Sequence, residues 1–330
     1  MFLSLFSAVE LGIIYAIMAL GVFLTFRVLN FPDLTVDGSF VTGAAVAALS
    51  IMHGLPPFLA TILGALAGFL AGCITGILHT KGKINALLSG ILMMIALYSI
   101  NLRIMGAPQI SLLNEDTLKT QFTSIWEKTG IDNLFNNILA GLGLERFPAT
   151  WGILIIMTVI IVIIKFIIDY YLKTEIGLAL RATGDNQRMI RSFSANTDNL
   201  IIVGVGISNG LVALAGALIA QHGGFADVGM GIGLIVIGLA SVIVGEALFG
   251  TKSIARWTLA VILGAIIYRI VVTLALRVEF LETGDMKLIT AILVIIALVT
   301  PKVLQAQREK KRRLEKRAAV QMEDAKNVKA

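Results

Sequence analysis

The sequence predicts an all-α, polytopic membrane protein, and three observations carry that reading. Hydrophobic residues make up 57% of its 330 residues, and charged residues only 15%. Mean hydropathy is +0.89. Apolar runs long enough to cross about 30 Å of hydrocarbon recur along the chain, whereas a soluble domain carries far more charge.

Taken in order, about nine spans are expected, at 3–26, 33–52, 56–79, 84–105, 150–171, 198–221, 229–249, 256–276 and 286–302. The first run has no basic start and is too long for a signal-peptide core, so it reads as a retained span. Positive charge then sets the sides. Lys81 and Lys83 follow the third span, Arg181, Arg188 and Arg191 the fifth, and Lys252 and Arg256 the seventh. With the basic tail, these links share one side, which is therefore the cytoplasm. The N-terminus falls outside and the C-terminus inside. The expected parts are a permease domain over 1–302, with an extracytoplasmic loop at 106–149 and a cytoplasmic segment at 174–197, and a basic tail over 303–330. That tail reads as a cytoplasmic anchor for the last span, not as a nucleic-acid arm.

An offset of about 172 residues lays Asp37-Gly38 over Asn209-Gly210, and HTKGKINA (79–86) resembles FGTKSIAR (249–256). This suggests two four-span units and a final span, an arrangement common in transporters. The chain has 32 glycines. Small residues at fourfold spacing in 61–76 and 210–220 predict closely packed helix backbones. The single cysteine, Cys73, excludes an internal disulfide and reads as a small core residue.

Several chemistries are argued against. GEALFGTKS (245–253) imitates a phosphate loop, but Thr251 separates Gly250 from Lys252 and a membrane span precedes it. His53, His79 and His222 stand apart at span ends, a poor metal site. No nucleophile elbow is present, so the chain is not expected to be an enzyme, and no cofactor is expected in it.

NFPDLTVDGS (30–39) is the sharpest membrane-embedded motif. Pro32 and Gly38 are expected to break the helix, and polar backbone at such breaks lines cavities. Asp33 and Asp37 are four apart, so on a helix they share a face. Asp33 has two readings, a cap on the second span or a pathway residue. Asp37 lies one turn deeper, where a carboxylate is costly, and reads as functional or as a buried structural partner. Ser39 adjoins them. Ser208, Asn209 and Gln221 on the sixth span are further pathway candidates, although interhelical hydrogen bonding explains them as well. Lys165 is expected to snorkel to the inner surface, and Arg269 is an intramembrane charge with no assigned partner.

TEIGLALRATGDNQRMIRSFSANT (174–197) lies between two strongly apolar runs. A helix over 178–191 is expected outside the membrane. It could lie on the bilayer or dock into another protein. Its small residues Ala182 and Gly184 favour docking into a groove, with few large apolar anchors for lipid.

This segment resembles the cytoplasmic coupling segment of ABC-importer permeases in the branched-chain amino acid and ribose permease superfamily. Thr174, Gly177, Ala182, Gly184, Asn186, Arg191 and Asn196 fill that family's pattern, and Arg181 lies within it. ALGVFLTFRVLNFPDLTVDGSFVTGAAVAA (19–48) resembles the family's first two spans, and VIVGEALFGTKSIARWTLAVILGAII (242–267) its glycine-rich late segment. The resemblance implies a type II ABC-importer-like permease in a bacterial inner membrane. It implies two permease copies around the path, ATPase subunits that hold ATP and Mg in the cytoplasm, and an extracytoplasmic binding protein. Permeases that begin like this one are associated with binding proteins for amino acids, some aromatic. Nucleosides, sugars or other small solutes are the alternative, as is an ion-coupled secondary transporter.

Overall fold

A computed structural model describes residues 2–275, apart from 129, 133–135, 137–139, 141–146 and 193–195, and five positions between 288 and 299. Apart from those five positions, the span expected at 286–302 lies outside the described residues, as does the tail at 303–330.

Helices dominate the chain. They are α1 (Phe2–Phe23), α2 (Thr35–Met52), α3 (Pro57–Thr80), α4 (Ala86–Met105), α5 (Leu118–Glu127), α6 (Gly152–Lys173), α7 (Glu175–Ser192), α8 (Thr197–Gly223), α9 (Leu234–Phe249) and α10 (Ile254–Ala275). Eight of the described helices, counting the turns that extend α1 and α9, are long and apolar enough to cross a membrane. Two three-residue strands, β1 (Gln109–Ser111) and β2 (Phe225–Asp227), pair antiparallel. They tie the link after α4 to the end of α8. The α7 end and the α5 end are opposite ends of the bundle, because α8 runs from one to the other.

Local chemistry sets the boundaries. Asn85 caps α4 by accepting from Leu87 N at 2.9 Å, and Asn196 caps α8 by accepting from Asn199 N at 3.1 Å. Thr117 and Thr120 cap α5 reciprocally. Pro57 opens α3 at its first turn, where its missing N–H costs nothing.

The core forms around α8, which packs on α1, α2 and α3. Glycine permits this, as its spacing predicts. A Cβ on Gly43 would strike the Ala213 carbonyl, and one on Gly216 the Phe40 carbonyl. From α3, Gly64, Gly68, Gly72 and Gly76 lie in turn against the α2–α8 backbones or their short side chains. Cys73 is an intermediate-exposure residue whose sulfur packs beside Gly206 of α8. Large apolar side chains such as Phe58, Leu70, Leu92, Ile163 and Phe166 are exposed on α3, α4 and α6, an outer surface that suits lipid.

Two spans depart from the expected form. A π turn over Leu24–Val28 ends α1, with Leu29 N bonding to Leu24 O and Phe31 N to Thr25 O. Asn30 then takes φ +52°, and Pro32 has no N–H to offer. The break therefore falls at residues 29–34. Gly38, expected to break the helix, lies inside α2. The seventh span begins with a 3-10 turn, Val228–Gly231, and only 16 residues of α9 follow it.

Candidate functional site

The 29–34 break carries Asp33 into the middle of the bundle. Asp33 is fully buried. Its Oδ1 accepts from Thr35 N at 2.9 Å, and its Oδ2 from Asn209 Nδ2 at 2.6 Å. Thr35 in turn meets Thr75 of α3 at 2.8 Å between hydroxyls. Among the described residues no cation pairs with Asp33. It thus caps α2 and also holds the break against α8.

Asp37 does something different. It accepts from Gly233 N at 2.9 Å and from Ile235 N at 2.8 Å, so it caps α9 from 196 and 198 positions away. The expectation that Asp33 and Asp37 share a helical face is corrected here: Asp33 precedes the helix, so the two carboxylates diverge to α8 and to α9. Gly233, at φ +85°, occupies the N-cap of α9 and supplies no capping side chain. Asp37 from α2 fills that role.

Beside Asp37 lies a half-open cavity of about 420 Å³ between α2, α4 and the 3-10 turn. Gly38, Val41, Met94, Ile95, Tyr98, Ser99, Asn101, Val228, Gly231 and Ile232 complete its walls. Asn101 is fully buried. Its Nδ2 donates to Gly38 O at 3.1 Å, and its Oδ1 has no partner. Sequence reasoning missed Asn101, Ser99 and Tyr98, although polar residues inside the span at 84–105 were the signal for them.

The other pathway candidates lie elsewhere. Ser39 is buried with an unpartnered hydroxyl and does not line the cavity. Ser208 donates to Gly21 O at 2.6 Å and sews α8 to α1. Asn209 serves Asp33. Gln221 sits at the α5 end, with Nε2 donating to Thr61 at 2.7 Å and Oε1 accepting from Leu118 N at 3.0 Å. Nor does Lys165 snorkel: it pairs with Asp169 one turn on, and Asp169 also accepts from Thr258 at 2.6 Å. Arg269 lies over the Tyr15 ring, 5.1 Å from its centroid.

In the segment 174–197 the motif residues mostly shape the chain. Thr174 caps the turn out of α6 by accepting from Gly177 N at 3.2 Å. A side chain on Gly177 would meet the Tyr171 carbonyl. Helix α7 is not continuous, because Asn186 leaves helical geometry at φ −149°, ψ 89°. Its side chain accepts from Met189 N at 3.1 Å and so caps the second piece. Arg191 donates to Thr197 and Asp198, each at 2.9 Å, and Asn196 caps α8. Gly184 does not face outward. A Cβ there would collide with Val28 O, so its smallness serves packing inside the chain and not a partner's groove. Arg181, with Arg27, Asn30, Gly184 and Trp257, lines a second hollow of about 330 Å³; Ala182 is half-buried. Glu246 at the end of α9 binds Arg27 and accepts from Trp257 Nε1 at 2.8 Å, which closes that junction. The large exposed apolar side chains on α7 are Ile176, Leu178 and Met189, where few apolar anchors were expected.

An apolar helix bundle with broken spans and a polar centre defines an all-α, multi-pass membrane permease. The chain belongs to the family described as branched-chain amino acid transport system, permease component, which it matches over residues 4–299. It is thus a permease component of an ABC-type importer. It is 41% identical over 297 residues to a tyrosine transport system permease protein of Clostridioides difficile, covering 90% of this chain and 91% of that relative. An uncharacterized protein of Rickettsia prowazekii is 33% identical over 302 residues, or 90% and 98% of the two chains. A ribose import permease protein of Haemophilus influenzae is 24% identical over 265 residues, or 80% and 72%. No solved structure matches the chain.

Proposed function

We propose that this permease moves an amino acid inward, an aromatic one among the candidates, by ATP-driven alternating access. The cavity beside Asp37 carries the reading. It is an apolar hollow with a few converging polar groups, set where a broken span meets a helix N-terminus. The kinship with a tyrosine transport permease supports the solute class. In this reading the α7 end is cytoplasmic and the α5 end external, as the positive links require. Two copies enclose the path, and the bilayer surrounds them. ATPase subunits, which hold ATP and Mg, engage α7, and an external binding protein delivers the solute. ATPase closure moves α7, and with it α6 and α8.

The test is uptake into proteoliposomes by permease, ATPase and binding protein together, assayed with each common L-amino acid and with ribose. ATP-dependent uptake of an amino acid is expected. Uptake of ribose alone, or uptake that ignores ATP and follows an ion gradient, would overturn the reading.

A further inference from the structure

We propose that Asp37 stands in for the solute's own carboxylate, and that an α-amino acid zwitterion binds by inserting between Asp37 and the N-terminus of α9. This rests on the amino-acid reading above and adds the chemistry of recognition.

Helix α9 begins with N–H groups that no carbonyl of its own helix can accept, and with the positive end of its dipole. The usual solution is a capping side chain at the N-cap itself. Here the N-cap is Gly233, and the N–H groups of Gly233 and Ile235 are held by a carboxylate from another helix. A contact made across the bundle can be broken without unfolding a local turn. It also borders the cavity, which Asp37 helps to line.

The cavity's charges fit the exchange. Among the described residues no Lys, Arg or His lines it, and Asp37 is the one acidic residue that does. The α9 N-terminus, which meets Asp37 at the cavity's edge, is the positive group offered to a carboxylate, and Asp37 the negative group for an ammonium. A second, independent feature is Asn101, which is fully buried in the wall with Oδ1 unpartnered. Such an orphaned acceptor calls for a donor. A zwitterion satisfies all three groups. Its carboxylate takes the Gly233 and Ile235 N–H groups, and its ammonium donates to Asp37 and to Asn101 Oδ1. Its side chain lies against Val41, Met94 and Tyr98. No charge is left unpaired, and the charge-assisted bonds lost by Asp37 are replaced. A solute with only one charged end strands either Asp37 or the helix terminus. A volume of about 420 Å³ admits a solute of this size.

The complete importer is tested in proteoliposomes with labelled L-tyrosine, tyramine (no carboxylate) and 3-(4-hydroxyphenyl)propanoate (no ammonium). L-Phenylalanine and L-leucine are run in parallel. Asp37→Asn should cut tyrosine uptake about tenfold or more, the equivalent of one lost charged contact, while sparing the propanoate. The ratio between the two therefore collapses, and the binding protein's own selectivity cancels because it is common to both. An equal fall for all solutes, or no fall, overturns the inference and leaves the amino-acid reading standing. If no amino acid enters through the wild type, that reading falls, and this one with it. A second measurement needs no variant. In the wild-type complex, hydrogen exchange over 231–236 should rise with tyramine, which draws Asp37 away, and stay low with tyrosine, whose carboxylate replaces it. Identical exchange with both would sink the proposal, whatever Asp37→Asn does to folding.

Discussion

Asp33 and Asn209, 176 positions apart, share a 2.6 Å hydrogen bond at the centre of the bundle. Through it, the break after α1 is fixed to the midpoint of α8. The same Asn209 lies against Gly72, so α3 closes over the pair.

Removing that donor should be costly. Asn209→Leu keeps the volume but strips a buried carboxyl of one of its two partners. A loss of about 1–3 kcal/mol is expected, the usual penalty for an unsatisfied buried polar group. Thermal melting of the purified permease in nanodiscs measures it. An unchanged melting temperature would show that the break holds without this bond.

The glycine seams make a contrast within one chain. Gly43→Ala should reduce folded yield and cost about 1–3 kcal/mol, as overpacking does, because its Cβ meets the Ala213 backbone. Gly223→Ala should be tolerated, since its Cβ would come no closer than 3.6 Å to the Phe225 ring. Detergent-extracted yield and melting compare them, and equal behaviour would refute the seam.

Contact with the ATPase should depend on exposed apolar side chains of α7 and not on its glycines. Leu178 is 56% exposed. Leu178→Asp should weaken ATPase pull-down by about tenfold or more while changing stability by less than about 0.5 kcal/mol. Gly184→Trp should instead destabilise the permease itself, through its clash with Val28. If Leu178→Asp leaves both the complex and uptake intact, α7 rests on lipid.

Sidedness has its own check. With Cys73→Ala as background, Leu113→Cys, at a position 80% exposed, should react with an impermeant maleimide added outside intact cells. Arg188→Cys should react only after the membrane is opened. Labelling of both from the same side would reverse the positive-charge assignment.

Much was legible before the fold was known, because its causes are local. A run of apolar residues needs no partner to declare itself a span, and fourfold glycine spacing marks a helix face meant for close approach. The eight described spans and the close helix packing along α3 and α8 follow from such patterns; the caps at Asn85 and Asn196 came only with the structure. The motif in 174–197 likewise identified the family, although its residues turned out to shape the segment more than to extend from it.

What the sequence alone could not decide is where each polar group finds its partner. Asp33 and Asp37 look like a pair on one helix face. Only the π turn, the left-handed Asn30 and Pro32 separate them, sending one to α8 and the other to the N-terminus of α9. Gln221 resembled Asn209 as a polar residue in a span, yet it serves the α5 cap at the far end. These outcomes depend on contacts between residues more than 100 positions apart. A buried polar group must be satisfied, but sequence spacing gives no measure of which distant backbone or side chain the packed helices will bring to it.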